Sequence, residues 1–238
     1  MKKRVLPIFF LFAAILLYCT SSVEEEIIEQ PCTLQLYPPL DTVITSHTSF
    51  TREYYPQRIQ EFMMDSIFQN SIVMLGNSLT EQGEDWSDKL GQENVSNRGI
   101  SGDNTDGLSA RLGEIICSEP RIVFVMIGTN DLWTPYTEIE VASSIDEIGN
   151  YLSSELPDAN IYVQTIMPLE SGHSMSERLI GINTALKSKE DVSYILIDTF
   201  AEMANNEGFL ESQYTTDGVH LTSLGYEKWA AFLKQFVD

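Results

Sequence analysis

The sequence predicts an α/β protein: a three-layer α/β/α sandwich built on a mostly parallel sheet of about five strands. Short apolar runs typical of buried strands alternate along the chain with longer segments whose apolar residues recur at helical spacing. Strands that alternate with helices form right-handed βαβ units, which build a parallel sheet covered on both faces. The 238 residues suffice for one sizeable α/β domain and are too few for two.

The individual elements follow from these patterns. "SIVML" at 71–75 and "RIVFVMI" at 121–127 are unbroken apolar runs, which indicate strands buried on both faces. Further strands are expected at 160–166, at 193–198 and, from a weaker pattern, at 93–100. Helical spacing of apolar residues predicts helices at 55–69, 105–116, 137–156, 175–188 and 222–236.

The N-terminus is typical of an exported protein. Positive charges at the start of the chain precede an apolar run over 5–18, which is short for a membrane span and suits a secretory signal. Cys19 follows this run directly, in the position where bacterial lipoproteins carry their lipid-modified cysteine. Residues 1–22 are therefore expected to be a signal peptide or a lipoprotein leader. The expected location is secreted, periplasmic or cell-surface in a bacterium, with a membrane tether if Cys19 is lipidated.

The segment after the leader differs in composition from the rest of the chain. Residues 23–53 are acidic at first and then rich in Pro, Thr and Ser, which predicts a tether. The folded domain is accordingly expected over 54–238.

Charge and cysteine content narrow the classes of partner. There are 35 acidic and 14 basic residues, a formal net charge of -21, and such a surface repels phosphate backbones. Nucleic acid is therefore not expected as a partner.

Beyond Cys19, the chain contains Cys32 and Cys117, which can form one disulfide or remain an isolated pair. No Cys-x-x-Cys or Cys/His cluster is present, so the sequence predicts no structural metal site.

Four polar loops containing glycine fall at one edge of the predicted sheet: "GNSL", "RGISGDNT", "GTND" and "TTDGVH". Acyl transfer requires a hydroxyl nucleophile, an imidazole base, an orienting carboxylate and donors to an oxyanion. Ser78 can supply the nucleophile and His220 the base, while Asp217 lies three residues before that histidine. The backbone N–H groups of Ser78 and Gly102 and the side-chain amide of Asn130 are the candidate oxyanion donors.

These loops resemble the signature blocks of the SGNH (GDSL) hydrolase family over about residues 54–238. The matching residues are Ser78 in the first block, Gly102 in the second, Asn130 in the third, and Asp217 and His220 in the last. The first block departs from the family in one residue, because Asn77 stands where an aspartate is usual, although an amide keeps an acceptor there. The neighbouring sequence is most similar to the branch with platelet-activating-factor acetylhydrolase-like and carbohydrate O-acetylesterase members.

The resemblance implies a flavodoxin-like sandwich and a serine esterase that acts through an acyl-enzyme, without a metal or organic cofactor. The absence of a Gly-x-Ser-x-Gly elbow, where Thr80 replaces the last glycine, agrees with this smaller sandwich. The expected substrate is a short-chain acetyl ester on carbohydrate, because export and an acidic surface suit a neutral glycan. A lysophospholipase or other lipid esterase of the same fold is the alternative, and a non-catalytic glycan-binding module is a third hypothesis.

Other residues near these loops carry secondary expectations. Asp131 is expected to hold the loop that presents Asn130 rather than to act as the triad acid. Loops around Trp86, 132–136 and 168–175 are expected to set specificity. Their aromatic residues, such as Trp133 and Tyr136, can stack on a sugar ring or pack at the base of a loop.

Overall fold

The computed structural model describes residues 32–237, in which five parallel strands form one sheet. The strands are β1 (Ile72–Gly76), β2 (Val95–Gly99), β3 (Ile122–Met126), β4 (Asn160–Gln164) and β5 (Ile195–Ile197). Their order across the sheet is β2-β1-β3-β4-β5, and every pairing is parallel. The predicted α/β fold with a parallel sheet is confirmed, and each expected strand is present with ends that differ by at most two residues from the prediction.

Alternation of side chains along each strand explains the unbroken apolar runs. In β1, Val73 and Leu75 belong to one buried cluster, whereas Ile72 and Met74 belong to the cluster on the opposite face. Because helices cover both faces, every position of β1 is buried, and each side chain removed from water contributes about 1.5–3 kcal/mol. The helices therefore form the two outer layers of a three-layer sandwich.

The helices divide between the two faces of the sheet. One face is covered by α4 (Thr105–Ser109), α5 (Gly113–Cys117), α6 (Glu138–Glu155) and α7 (Ser176–Lys187). The other face is covered by α2 (Ser78–Glu81), α3 (Trp86–Leu90), α8 (Thr199–Met203) and α9 (Ser223–Leu233). The helices expected over 137–156, 175–188 and 222–236 are confirmed as α6, α7 and α9. Within residues 32–237, no helix combines the length and the apolar character needed to cross a membrane.

The helix expected over 105–116 is two short helices instead, α4 and α5. The chain breaks around Arg111, whose side chain is buried and donates to the carbonyl oxygens of Gly76 and Arg98 at 2.9 Å each. A continuous helix would not bring this guanidinium to the strand ends. Cys117, at the end of α5, is disulfide-bonded, and so is Cys32.

The first helix begins earlier than predicted. Helix α1 (Ser49–Met64) begins after Thr48, whose hydroxyl accepts the Thr51 N–H at 3.2 Å and so caps the first turn. The prediction placed the start near Pro56, yet this proline is accommodated inside the helix. One face of α1 is buried through the residues Thr51, Tyr55, Ile59 and Phe62, which follow helical spacing.

The described part of the predicted tether packs against the domain, in contrast to the expectation for residues 23–53. We name residues 33–48 the N-terminal strap. The Leu36 carbonyl of the strap accepts the Glu114 N–H at 2.9 Å, and His47 is only 4% exposed. Two of its polar side chains, Ser46 and His47, find partners on the domain in Asp106 and Asp103. The expected leader, 1–22, and residues 23–31 lie outside the described residues.

The strand order reverses next to β1, because β2 lies on one side of it and β3 on the other. In doubly wound sheets, a crevice opens at such a switch point, beyond the carboxyl ends of the strands. The loops after β1, β2 and β3 therefore meet at one place.

Candidate active site

Ser78 lies at the carboxyl edge of the sheet, directly after β1 and at the start of α2. Asn77 caps α2, because its side-chain oxygen accepts the Leu79 N–H at 3.0 Å. Gly76 leaves no space for a side chain, since a Cβ there would lie 2.4 Å from the Met126 carbonyl oxygen. This close turn from strand to helix presents Ser78, which is 8% exposed, to a pocket.

His220 connects Ser78 to Asp217. The Nε2 atom of His220 lies 3.0 Å from Ser78 Oγ, and its Nδ1 atom lies 2.7 Å from Asp217 Oδ2. An ionised carboxylate can only accept hydrogen bonds, so Nδ1 carries the proton and Nε2 can accept from the serine hydroxyl. The structure thus brings together the predicted nucleophile, base and orienting acid, although Ser78 and His220 are 142 residues apart.

The ionisation of Asp217 follows from its hydrogen bonds. Partial burial raises the pKa of the Asp217 carboxyl, but hydrogen bonds from the His220 ring and from the N–H groups of His220 and Val219 outweigh this effect. The pKa of Asp217 therefore lies below its ordinary value, and the carboxyl is ionised at neutral pH. An ionised Asp217 holds the His220 proton on Nδ1.

The loop after β2 places Gly102 beside the pocket. The Asp103 N–H donates to the Ile100 carbonyl at 3.0 Å, which closes a tight turn over 100–103. Gly102 has φ +81° in this turn, a conformation that side chains disfavour. A Cβ at Gly102 would also lie 2.2 Å from Thr51 Oγ1. Conformation and space both require glycine at this position.

Asn130 reaches the same turn from the end of β3. It begins a short 3₁₀ helix, Asn130–Trp133, and its Nδ2 atom donates to the Asp103 carbonyl at 2.8 Å. A side-chain amide has two N–H donors, so the bond to Asp103 fixes the orientation of the second one. Gly102 and Asn130, the candidate oxyanion donors, line the same pocket as Ser78 and His220.

The pocket has a volume of about 440 Å³. Besides Ser78, Gly102, Asn130 and His220, its wall comes mainly from the strap, α1 and the loops beside the site: Ser46, Thr48, Phe50, Thr51, Gln82, Ser101, Asn104 and Trp133. Two of them present aromatic rings to solvent, since Phe50 is 59% exposed and Trp133 is 54% exposed. Sequence reasoning missed Phe50, because it placed this residue in a tether.

Asp131 has a structural position and does not contact His220. Its buried carboxylate accepts the Thr105 N–H and the Thr105 hydroxyl, the latter at 2.6 Å. Burial raises the pKa of Asp131 to about 6, and the hydrogen bonds from Thr105 offset this only in part. Asp131 ties the start of α4 to the loop that carries Asn130, in agreement with the sequence-based interpretation.

One predicted specificity residue lies elsewhere. Trp86 is 1% exposed, packs in the core and donates from Nε1 to the Thr80 carbonyl at 2.9 Å. The expectation that Trp86 contributes to specificity is therefore wrong, because its indole ring packs against Trp229 of α9 in the core.

Within residues 32–237, no group of three or more His, Cys, Asp or Glu side chains could hold a metal ion.

Comparison with known proteins identifies the family of the chain. Residues 65–228 match the family model described as GDSL-like lipase/acylhydrolase. The platelet-activating factor acetylhydrolase IB subunits alpha2 of Bos taurus and Homo sapiens are each 29% identical over 165 residues, which cover 66% of this chain and 71% of the relative. The strap and all of α1 precede the residues that the family model matches.

Solved structures share the fold. A GDSL-like lipase from Bacteroides thetaiotaomicron superimposes with a TM-score of 0.61 at 23% identity, covering 70% of this chain and 86% of the other. An acetylxylan esterase from Geobacillus stearothermophilus has a TM-score of 0.59 at 21% identity, covering 73% and 97% respectively.

Proposed function

The chain belongs to the GDSL-like lipase/acylhydrolase family and is a carboxylic ester hydrolase, and from this premise we propose that it removes acetyl groups from carbohydrate by a serine acyl-enzyme mechanism. The observation that carries the mechanism is the continuous hydrogen-bonded chain from Ser78 through His220 to Asp217 at the pocket.

In the first step, Ser78 Oγ attacks the ester carbonyl while His220 Nε2 takes the hydroxyl proton. The tetrahedral intermediate then collapses, the bond to the alcohol oxygen breaks, and His220 returns the proton to the leaving alcohol. Water attacks the acyl-enzyme with His220 again as base, which releases the carboxylic acid and restores Ser78. Asp217 keeps the imidazole in the required tautomer and stabilises the imidazolium.

Charge develops on the carbonyl oxygen in both steps, and three donors face it in this proposal. They are the backbone N–H groups of Ser78 and Gly102 and the second amide N–H of Asn130. Donors fixed in advance contribute more than mobile water, and removing one typically lowers the rate about 10²- to 10³-fold. The turn over 100–103 and the bond from Asn130 to Asp103 support such pre-organisation.

Four considerations support an acetyl group on a sugar as the substrate. The relatives at 29% identity are acetylhydrolases by name, which supports acetyl as the acyl group. The exposed rings of Phe50 and Trp133 beside Ser78 can stack on the apolar face of a sugar. A net charge of -21 disfavours approach to anionic lipid surfaces. Export, proposed from residues 1–22, would bring the enzyme to extracellular glycans.

The test compares Ser78→Ala with a control, Ser154→Ala, which removes an exposed hydroxyl of α6 outside the pocket. We expect Ser78→Ala to abolish hydrolysis of p-nitrophenyl acetate and labelling by a fluorophosphonate, while Ser154→Ala stays close to the unchanged enzyme. Substantial turnover by folded Ser78→Ala would refute the mechanism.

Substrate class is tested separately with acetylated oligosaccharides and with p-nitrophenyl esters of increasing chain length. We expect acetate release from the glycans and a fall in rate beyond short chains. A preference for long acyl chains would favour the lipid esterase, and sugar binding without fluorophosphonate labelling would favour a binding module.

A further inference from the structure

Asp103 follows the candidate oxyanion donor Gly102, and its carboxylate is completely buried. Three donors surround this carboxylate: His47 Nε2 at 3.0 Å, Arg111 Nε at 3.0 Å and the Asn104 N–H at 3.1 Å. Because the carboxylate only accepts, His47 Nε2 carries a proton and donates it to Asp103. His47 belongs to the N-terminal strap, which precedes the family-matched residues 65–228.

The backbone of Asp103 is connected to both loop-borne oxyanion donors. Its N–H closes the turn that contains Gly102, and its carbonyl receives the Asn130 amide at 2.8 Å. A displacement of Asp103 would therefore move the Gly102 N–H and reorient the Asn130 side chain together.

The strap and α1 hold this turn from its outer side. Thr51 Oγ1 occupies the space where a Gly102 side chain would be. The His47 ring packs 5.2 Å from the Tyr55 ring, and the Tyr55 hydroxyl donates to the Gly107 carbonyl at 2.7 Å. These contacts fix the position from which His47 reaches Asp103.

We infer that His47 is a positioning residue, which holds the Gly102 turn and the Asn130 amide in the geometry that stabilises the oxyanion. This inference rests on the proposed function, since it assumes the oxyanion roles of Gly102 and Asn130. His47 does not touch substrate and acts through Asp103.

Asp103 keeps an ion-pair partner when His47 is lost. Arg111 forms a buried ion pair with the same carboxylate at 3.0 Å and is itself anchored to the Gly76 and Arg98 carbonyls. Loss of His47 therefore removes one directional hydrogen bond but leaves the buried charge compensated. The consequence should be a shifted turn within a folded protein.

Three variants separate the hydrogen bond from the packing. His47→Leu and His47→Phe fill the space without a donor, and either can be used if the other fails to fold. His47→Gln keeps an N–H that can reach Asp103. Tyr37→Phe is the matched control, because it removes another strap hydrogen bond, to the Phe62 carbonyl, away from the turn.

We expect the variants without a donor to lower kcat for p-nitrophenyl acetate about tenfold or more, as displaced oxyanion donors do. KM should stay within about twofold, because the oxyanion exists only after attack on the bound ester. His47→Gln should recover most of kcat, and Tyr37→Phe should match the unchanged enzyme. All rates are measured well below each variant's melting temperature and divided by the fluorophosphonate-titrated site concentration.

A folded donor-free variant with unchanged kcat would overturn the inference. It would also be overturned if His47→Gln lost as much activity as His47→Leu, since the donated hydrogen bond would then not be responsible. Ser78→Ala is assayed in parallel: if it is inactive while His47→Leu is fully active, only this inference fails, whereas an active Ser78→Ala refutes the proposed function itself.

Discussion

Replacement of Gly102 by alanine tests whether the turn over 100–103 is built as tightly as the structure indicates. Two independent penalties apply to a methyl group at this position. Gly102 has φ +81°, and a Cβ there would lie 2.2 Å from Thr51 Oγ1. Gly208 provides a matched control, because its φ is +86° and nothing lies within 4 Å of its Cβ position.

The size of each penalty can be estimated separately. An L-residue in the left-handed region costs about 1–2 kcal/mol. Overpacking adds roughly 1–3 kcal/mol when neighbours must move. Gly208→Ala should therefore lower the free energy of unfolding by about 1–2 kcal/mol, and Gly102→Ala by about 3 kcal/mol. For a domain of this size, each kcal/mol corresponds to roughly 2–4 °C in melting temperature.

Thr51→Ala separates the two contributions at Gly102. It removes Oγ1 and Cγ2, so that the nearest side-chain atom to an added methyl group is the residue 51 Cβ at 3.2 Å. In the Thr51→Ala background, Gly102→Ala should cost only the conformational part, about 1–2 kcal/mol. Because Thr51→Ala removes the atoms that a methyl group at residue 102 would overlap, the two substitutions should be non-additive by about 1–2 kcal/mol in a double-mutant cycle.

Thermal unfolding followed by circular dichroism gives the stability of all five proteins, and p-nitrophenyl acetate hydrolysis gives their activity. We expect Gly102→Ala to lose activity as well as stability, because the N–H of the displaced residue faces the proposed oxyanion. Gly208→Ala should lose stability alone. The reasoning would be refuted if Gly102→Ala and Gly208→Ala were equally destabilising, or if Thr51→Ala gave no relief.

Three further predictions concern the polar residues around the site. Asn130→Ala should lower kcat for p-nitrophenyl acetate about 10²- to 10³-fold, while its melting temperature stays within a few degrees of that of the unchanged enzyme. A smaller loss of kcat would mean that the amide does not face the oxyanion. Asp217→Asn should lower kcat about 10³- to 10⁴-fold, because the amide can no longer hold the His220 proton on Nδ1, and activity near that of the unchanged enzyme would contradict this role. Burial raises the pKa of Asp131 from its ordinary value of 3.8 to about 6, so the folded state binds the carboxyl proton more tightly than the unfolded state does. The protonated Asp131 therefore stabilises the fold below about pH 4, and this contribution is lost as the pH rises through 6. The loss amounts to about 3 kcal/mol, and it should be absent in Asp131→Asn when melting temperatures are compared between pH 4 and 7.

The fold could be predicted because its signals are local. Strand β3 is buried on both faces and is therefore an unbroken apolar run, whereas α6 is buried on one face and its apolar residues recur at helical spacing. Each pattern can be recognised within a short stretch of sequence. The prediction of one helix over 105–116 was wrong because the signal that breaks this helix is not local. Its break depends on where the buried Arg111 side chain finds acceptors, and those acceptors, Gly76 and Arg98, lie in other parts of the chain.

The candidate site shows the same division. Ser78, Asp217 and His220 stand in short motifs whose residue types fit one chemistry, so they were identified before any geometry was known. The pocket wall from the strap was not. A segment rich in Pro, Thr and Ser has the composition of a solvated linker, and nothing near His47 in sequence indicates a buried carboxylate 56 residues further on.

The position of the strap at the start of the described chain has a consequence for how the enzyme is completed. A polypeptide is made from its N-terminus, so the strap exists before the turn and α4 against which it packs. Ordering the strap costs conformational entropy, and its contacts with α1, α5 and the turn can offset that cost only once those elements are in place. We therefore expect the strap to dock late in folding, after the sheet has formed. Until then the chain would carry Ser78, the proposed nucleophile, without the proposed oxyanion donors held in place, so we expect ester hydrolysis to begin only after the strap has docked.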